Sequence, residues 1–312
     1  MNSYCFLCGG KPSVLSEKVA AILKGKVMPM RIVFFANGEK QIRLPVSVSS
    51  LNVFLFPAEG ESAIWDTLQM IDAVKRSGPL SITVVWPCYP YARQEQAPEG
   101  GSIPPQLLSR LLATAGADRL CTIDLHAPGQ LKHFALPTKN LSLLPLFMNT
   151  MQTMAEKRAE EPVLFAADGS AKARVQWLAE QLNWQFGFAE KRRLPDGTLR
   201  LVSFNGEVQN GSVFLIDDRI DSGGTFELVI RRLKKAGVRT IIGWVTHGVC
   251  DPNVLDRLQQ AGLDRLIETD TRNVTKKDGF VTILSASSCL AEAIRGYREE
   301  KFLKPMRRSW IK

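Results

Sequence analysis

Two apolar runs decide most of what this chain can become. Ser212–Ile216 (SVFLI) and Thr240–Val245 (TIIGWV) are nearly continuous in apolar residues. A strand with one wet face alternates apolar and polar residues; one that does not alternate is buried on both faces, and something must cover each face. Helices are the usual cover. Stretches with apolar residues three and four apart lie between the strand-like runs, at Ala63–Lys75, Gln106–Ala115, Ala171–Leu182 and Phe226–Lys235. Further candidate strands are Tyr4–Leu7, Met30–Phe34, Asn52–Phe56, Ser81–Trp86, Arg119–Ile123, Val163–Ala166, Arg200–Phe204 and Arg265–Ile267. Strands alternating with helices predict an α/β fold built on mostly parallel sheets.

A chain of 312 residues has room for two domains of ordinary size, and an internal repeat points the same way. Leu112–His126 (LATAGADRLCTIDLH) and Leu233–His247 (LKKAGVRTIIGWVTH) both run helix end, Ala-Gly, strand, His. Glycine suits the positive φ that follows a helix C-terminus. On this alignment Ser81–Trp86 matches Ser212–Ile216, and the first copy carries about nine extra residues between strand and helix, the stretch bearing Arg93 and Gln94. Two similar α/β domains are expected, 1–145 and 146–312.

No apolar run reaches the roughly 18 residues a membrane span needs. The N-terminus MNSYCFLCGGKPS lacks a basic region ahead of its short apolar stretch, so no secretory signal is read there and cytoplasm is the expected location. Cys5 and Cys8 form a lone C-x-x-C inside or beside the first strand. Without a second pair there is no zinc ribbon, and buried small hydrophobes are the expectation. The net charge of +9 is scattered, apart from Lys191-Arg192-Arg193 and the tail Lys304–Lys312. No nucleic-acid recognition signature accompanies it, so no nucleic-acid partner is expected.

The chemistry concentrates in Val213–Thr225 (VFLIDDRIDSGGT). An apolar strand ends in Asp217 and Asp218, a small-residue loop follows with Asp221, Ser222, Gly223 and Gly224, and a helix begins near Thr225. Backbone N–H groups at a helix start favour an anion, and glycines let the backbone approach it closely. Carboxylates at a strand's carboxyl end suit sugar hydroxyls, or a metal that bridges to them. A ribose phosphate fits both halves; the plainer alternative is a strand-turn-helix with a capping acid. Gly9-Gly10-Lys11 lacks P-loop spacing.

This stretch resembles the phosphoribosyl pyrophosphate signature of the type I phosphoribosyltransferase fold, and other segments narrow the resemblance to the ribose-phosphate pyrophosphokinase family. They are Phe35-Ala36-Asn37-Gly38-Glu39, Tyr89-Pro90-Tyr91-Ala92-Arg93-Gln94, Ala115–Asp118 leading to Asp124-Leu125-His126, Glu190-Lys191-Arg192-Arg193, Thr246–Val249, then Thr269-Asp270-Thr271 and Leu290–Ile294. The resemblance implies two tandem phosphoribosyltransferase-like domains and transfer of the diphosphate of ATP to the C1 hydroxyl of ribose 5-phosphate. It makes Lys191 and Arg193 the catalytic cations and Asp217, Asp218, Asp221, Ser222, Gly223, Gly224 and Thr225 the ribose 5-phosphate loop. Asp168, Gly169, Ser170 and Ala171 become the diphosphate loop, and Phe35, Asn37, Glu39, Arg93 and Gln94 the ATP contacts. His126 and Asp168 become ligands of Mg2+. It also implies a homo-oligomer, dimer or hexamer, in which the Phe35 loop reaches a neighbouring subunit's site. On residue type alone, His126 reads as a core or capping histidine and Lys191–Arg193 as a solvated basic turn beside a mobile hairpin at Pro195–Thr198.

Three positions depart from the family pattern. Asn37 stands where Asp is usual, the acidic, glycine-rich Glu95–Ser102 replaces a basic stretch, and Ser170-Ala171 replaces a glycine pair. The acidic stretch motivates an alternative, a catalytically weak paralogue that regulates an active synthetase. A base-transferring phosphoribosyltransferase and a nucleic-acid regulator on the same fold are more distant readings.

Overall fold

The computed structural model describes residues 4–158, 160–193, 199–205, 211–248, 251–273 and 277–299. Its contacts gather into two compact units that interleave along the chain. The first takes the chain up to Ile123, then Ala127–Leu141, then everything from Ala286 on; the second takes Asp124–His126 and Ser142–Ser285. The single cut expected at 145/146 is therefore corrected. The last helix, α8 (Ser287–Glu299), packs against α1 (Val14–Ile22) of the first unit. There Arg295 Nη2 donates to Ile22 O at 3.3 Å, and the Tyr297 ring lies 6.5 Å from that of Phe54. Among the described residues no helix is long and apolar enough to cross a membrane.

In the first unit β1 (Tyr4–Cys8), β2 (Val27–Pro29), β5 (Asn52–Phe56), β6 (Ser81–Val85), β7 (Arg119–Ile123) and β8 (Thr138–Leu141) form an all-parallel sheet in the order β2-β1-β5-β6-β7-β8. Helices α2 (Ser62–Arg76) and α3 (Pro104–Ala115) connect its later strands. A separate antiparallel hairpin pairs β3 (Arg31–Phe34) with β4 (Lys40–Arg43). Cys5 and Cys8 are buried free thiols on β1, and burial pushes both up to about 11, in keeping with packing rather than redox chemistry.

The second unit opens with α4 (Leu144–Arg158). Its sheet uses β9 (Val163–Ala166), β10 (Phe186–Arg193), β11 (Leu199–Asn205), β12 (Ser212–Arg219), β13 (Thr240–His247), β14 (Arg265–Thr269) and β15 (Val281–Leu284). The order is β11-β10-β9-β12-β13-β14-β15, parallel throughout except for β11. Helices α5 (Lys172–Leu182), α6 (Gly224–Lys235) and α7 (Pro252–Ala261) are the crossovers. The apolar runs that lack alternation are buried on both faces, as their composition requires. Val213, Leu215, Ile241 and Val245 enter one core layer, and Phe214, Ile216, Ile242 and Trp244 enter the other.

Sheet topology corrects the register of the internal repeat by one strand-helix unit. Without β11, the second sheet reads β10-β9-β12-β13-β14-β15, which is the same winding as β2-β1-β5-β6-β7-β8. So β12 corresponds to β5, β13 to β6 and β14 to β7. The sequences agree: Val53-Phe54-Leu55 matches Val213-Phe214-Leu215, and LATAGADRL at Leu112–Leu120 matches LQQAGLDRL at Leu258–Leu266. Hydrogen bonds agree too. Asp118 Oδ2 accepts from Ile82 N at 2.8 Å, and Asp264 Oδ2 accepts from Ile241 N at 2.7 Å, while each aspartate's own N–H donates to the same isoleucine's carbonyl at 2.9 Å. Leu112–His126 and Leu233–His247 align because Ala-Gly ends three helices here: Gly116, Gly237 and Gly262 all have positive φ (114°, 89° and 109°). A glycine stop marks any helix-to-strand turn and does not say which one. The Arg93–Gln94 stretch, between β6 and α3, is thus the counterpart of the segment after β13, and the counterpart of the aspartate loop is Pro57–Glu61.

Candidate active site

The strand β12 carries its acids into the sheet's carboxyl end. It runs to Arg219, so Asp217 and Asp218 still lie within the strand, and both are buried. Asp218 N donates to Asp217 Oδ1 at 2.8 Å. Two adjacent buried carboxyls cannot ionise independently. Burial, then the like charges of Asp218 and Asp168, push Asp217 well above the usual carboxylate range. Burial opposes ionisation of Asp218 as well, but hydrogen bonds from His126 and Asp217 and the charges of His126 and Arg174 hold it well below that range. Burial and the neighbouring charges thus favour the protonated form of Asp217 and the ionised form of Asp218.

His126 meets this pair directly. Its Nδ1 lies 3.0 Å from Asp218 Oδ2 and 3.2 Å from Oδ1. The turn that delivers it begins at Asp124, whose backbone sits at φ 42° and whose Oδ2 accepts from Thr246 Oγ1 at 2.6 Å and Leu143 N at 3.3 Å. A histidine bonded to a carboxylate through one ring nitrogen is oriented to present the other.

Asp168 follows β9 and is buried. Its Oδ1 accepts from Ser170 N at 2.9 Å, from Ala171 N at 3.4 Å and from Ser170 Oγ, so it shapes its own loop. Gly169 and Ser170 are exposed, and Ala171 is buried against the start of α5.

Beyond β12, Asp221 and Ser222 are exposed and Gly223 is buried. Gly223 has φ 75°, and a Cβ there would stand 2.7 Å from Val254 Cγ1, so both backbone and space call for glycine. The helix α6 begins at Gly224, ahead of the expected helical stretch Phe226–Lys235, and Gly223 supplies no side-chain cap. The first N–H groups of α6 thus point out of the loop with no cap from that residue.

Lys191 and Arg193 lie on β10, opposite Leu201 and Leu199 of β11, with a register shift between Glu190 and Lys191. The side chains of both residues, and the turn Pro195–Thr198, lie outside the described residues.

The nucleotide candidates belong to the first unit. Phe35 caps the β3–β4 hairpin and is 49% exposed beside Phe34 at 72%, which sets aside a core role for it. Asn37 Oδ1 accepts from Glu39 N at 3.1 Å, so Asn37 forms an Asx turn at the hairpin tip, with Gly38 at φ 84°. Arg93 and Gln94 are exposed on a turn in which Gln94 N donates to Tyr91 O at 2.8 Å. Buried Tyr89 anchors that turn through its hydroxyl to Pro105 O at 3.1 Å.

Sequence patterns missed several cations around the aspartate loop. Arg174, on the first turn of α5, has a buried Nη1 without a hydrogen-bond partner among the described residues, and its charge acts on Asp218. Arg257 of α7 donates to Ser222 O, and Arg272 approaches Asp221 at 3.6 Å. None sits in a motif; each arrives by tertiary folding. Among the described residues, no three His, Cys, Asp or Glu side chains are grouped to hold a metal ion.

Comparison with known proteins fits this arrangement. Residues 4–116 match the N-terminal domain of ribose phosphate pyrophosphokinase, and residues 140–293 match the phosphoribosyl transferase domain. The chain is 32% identical over 306 residues to a ribose-phosphate pyrophosphokinase of Thermotoga maritima, covering 96% of each chain. It is 31% identical to one of Hyphomonas neptunium, covering 92% of this chain and 94% of that one. A crystal structure of phosphoribosylpyrophosphate synthetase from Mycobacterium smegmatis superposes with a TM-score of 0.85 at 30% identity, over 96% of this chain and all (100%) of that one. Fold, loop and full-length similarity agree: the chain belongs to the ribose-phosphate pyrophosphokinase family.

Proposed function

We propose that the protein transfers the β,γ-diphosphate of ATP to ribose 5-phosphate. The C1 hydroxyl oxygen attacks the β-phosphorus, the bond from that phosphorus to the α–β bridging oxygen breaks, AMP leaves, and the hydroxyl proton is released. The observation that carries the reading is the second unit's loop, where buried Asp217 and Asp218 lead through Gly223 to the start of α6. The acids suit the ribose hydroxyls, and the N–H groups of Gly224 and Thr225 suit its 5-phosphate. Asp168–Ala171 is the proposed cradle for the diphosphate. Lys191 and Arg193, on the bulged strand, would supply positive charge where charge builds up on the transferred group. Phe35, Asn37, Glu39, Arg93 and Gln94 are the proposed ATP contacts. The exposed Phe35 hairpin is suited to a neighbouring copy in a homo-oligomer.

Mg2+ fits the residues present. Asp168, Asp217 and Asp218 crowd carboxyl groups in a buried place, and His126 has the carboxylate partner that ligating histidines usually have. Magnesium is commonly held by one or two side chains together with phosphate oxygens, so a full protein cage is not required. His126 and Asp168 are the proposed ligands, and the ion would neutralise phosphate charge. The test is direct: with ATP, ribose 5-phosphate and magnesium, the purified protein should release AMP and form phosphoribosyl pyrophosphate in equal amounts. Release of ADP, or no AMP across a range of phosphate and nucleotide concentrations, would refute the assignment.

A further inference from the structure

Asp221 lies in the middle of the proposed acceptor loop, yet its carboxylate is turned toward arginines. Arg219 Nε donates to Asp221 Oδ1 at 2.5 Å, and Arg272 Nη1 stands 3.6 Å from the same oxygen. Arg272 Nη1 also donates to Gly248 O at 3.2 Å. One guanidinium thus links the loop after β12, the segment after β13 and its own segment after β14. On the other flank Arg257 of α7 holds the loop through Ser222 O. The Arg272 side chain keeps only 19% of its exposure, so its interactions are less screened than those of a surface pair.

We propose that Arg272 is a positioning residue for the acceptor: through Asp221 it fixes the loop that receives the sugar phosphate, and Asp221 serves the loop's shape rather than contacting a sugar hydroxyl. This rests on reading Asp217–Thr225 as the acceptor loop. A planar guanidinium can meet a carboxylate and a carbonyl at fixed angles, which a lysine ammonium does not reproduce. A loop already held in place costs less to order when the ligand binds, so the effect falls on affinity for the sugar phosphate. The arrangement also places Arg219 and Arg272 at the Asp221 carboxylate and Arg257 at the neighbouring Ser222 carbonyl, leaving the rim positive where the 5-phosphate would approach, while Asp217 and Asp218 are buried.

The test is calorimetric titration of ribose 5-phosphate into the full-length wild type, Arg272→Met and Arg272→Lys, with the KM for ATP and the melting temperature recorded for each. Arg272→Met should weaken ribose 5-phosphate binding by about tenfold and Arg272→Lys by about half as much on a logarithmic scale, with the KM for ATP within about twofold of wild type. If Arg272→Met fails to fold, Arg219→Met, which removes the other partner of Asp221, takes its place with the same expectation. Affinities unchanged in every variant, a parallel rise in the KM for ATP, or a wild type that does not bind ribose 5-phosphate would overturn the proposal. A wild type that binds ribose 5-phosphate but releases no AMP would instead refute the proposed reaction and leave Arg272's role standing.

Discussion

The two sheets are wound alike and diverge only where their strands end. Val53-Phe54-Leu55 and Val213-Phe214-Leu215 occupy the same place and pair in the same register, Val53 opposite Ile82 and Val213 opposite Ile241. Their predecessors agree as well: Gly9 N donates to Phe56 O and Ala167 N to Ile216 O, both at 3.1 Å, and the loops that follow into α1 and α5 are of equal length. One residue past Phe56 the likeness stops. The first unit turns out of the sheet at Pro57-Ala58, where the second continues as Asp217-Asp218. The diphosphate-loop position, Asp168-Gly169-Ser170, is Gly10-Lys11-Pro12 in the first unit. The scaffold is therefore indifferent to the chemistry. Buried apolar strands fix where the loops stand, and the residues beyond the last apolar position decide what the loops can bind.

Matched substitutions can break or sharpen this contrast. The largest effect is expected on turnover. Asp218→Asn removes the charge that orients His126, and the rate of AMP formation should fall by at least about a hundredfold; Ala58→Asn, its counterpart, should leave it within about twofold. Equal losses in both would mean that the first unit's loop shares the chemistry. Next come the glycines of the two loops. Gly223→Ala meets both a positive φ and Val254, and should cost about 2–4 kcal/mol in denaturant unfolding. Gly60, at φ 100° with open space around it, should cost only about 1 kcal/mol when changed to alanine. The smallest effect tests the corrected repeat. Asp118→Ala and Asp264→Ala each remove one bond to a backbone N–H, and should destabilise by about 1–2 kcal/mol apiece. A difference much above 1 kcal/mol between them would mean that the two turns are not equivalent.

Much of the fold was legible because the strands on both sides of the core are short and apolar. Arg119–Ile123 and Val163–Ala166 could be bounded from composition alone. Less visible were β2, β8 and β15, strands of only three or four residues (3, 4 and 4), too short to show a pattern, and α8, whose place in the first unit depends on a contact with α1 far away in sequence. The repeat's register failed because a helix-ending glycine is shared by every unit; the Asp-Arg-Leu that follows Gly116 and Gly262 was the discriminating signal. In the candidate site, the strand, loop and helix of Val213–Thr225 could be read from order and residue type. The opposite shifts of Asp217 and Asp218, and the arginines at 174, 257 and 272, could not, since each depends on side chains that only the folded chain brings together.

Hydrogen–deuterium exchange with and without ribose 5-phosphate tests the division between the two units most directly. Slowed exchange is predicted at residues 216–226, with little change at residues 56–66, although the two segments hold the same place in their sheets. Protection at 56–66, or equal protection in both, would contradict the account.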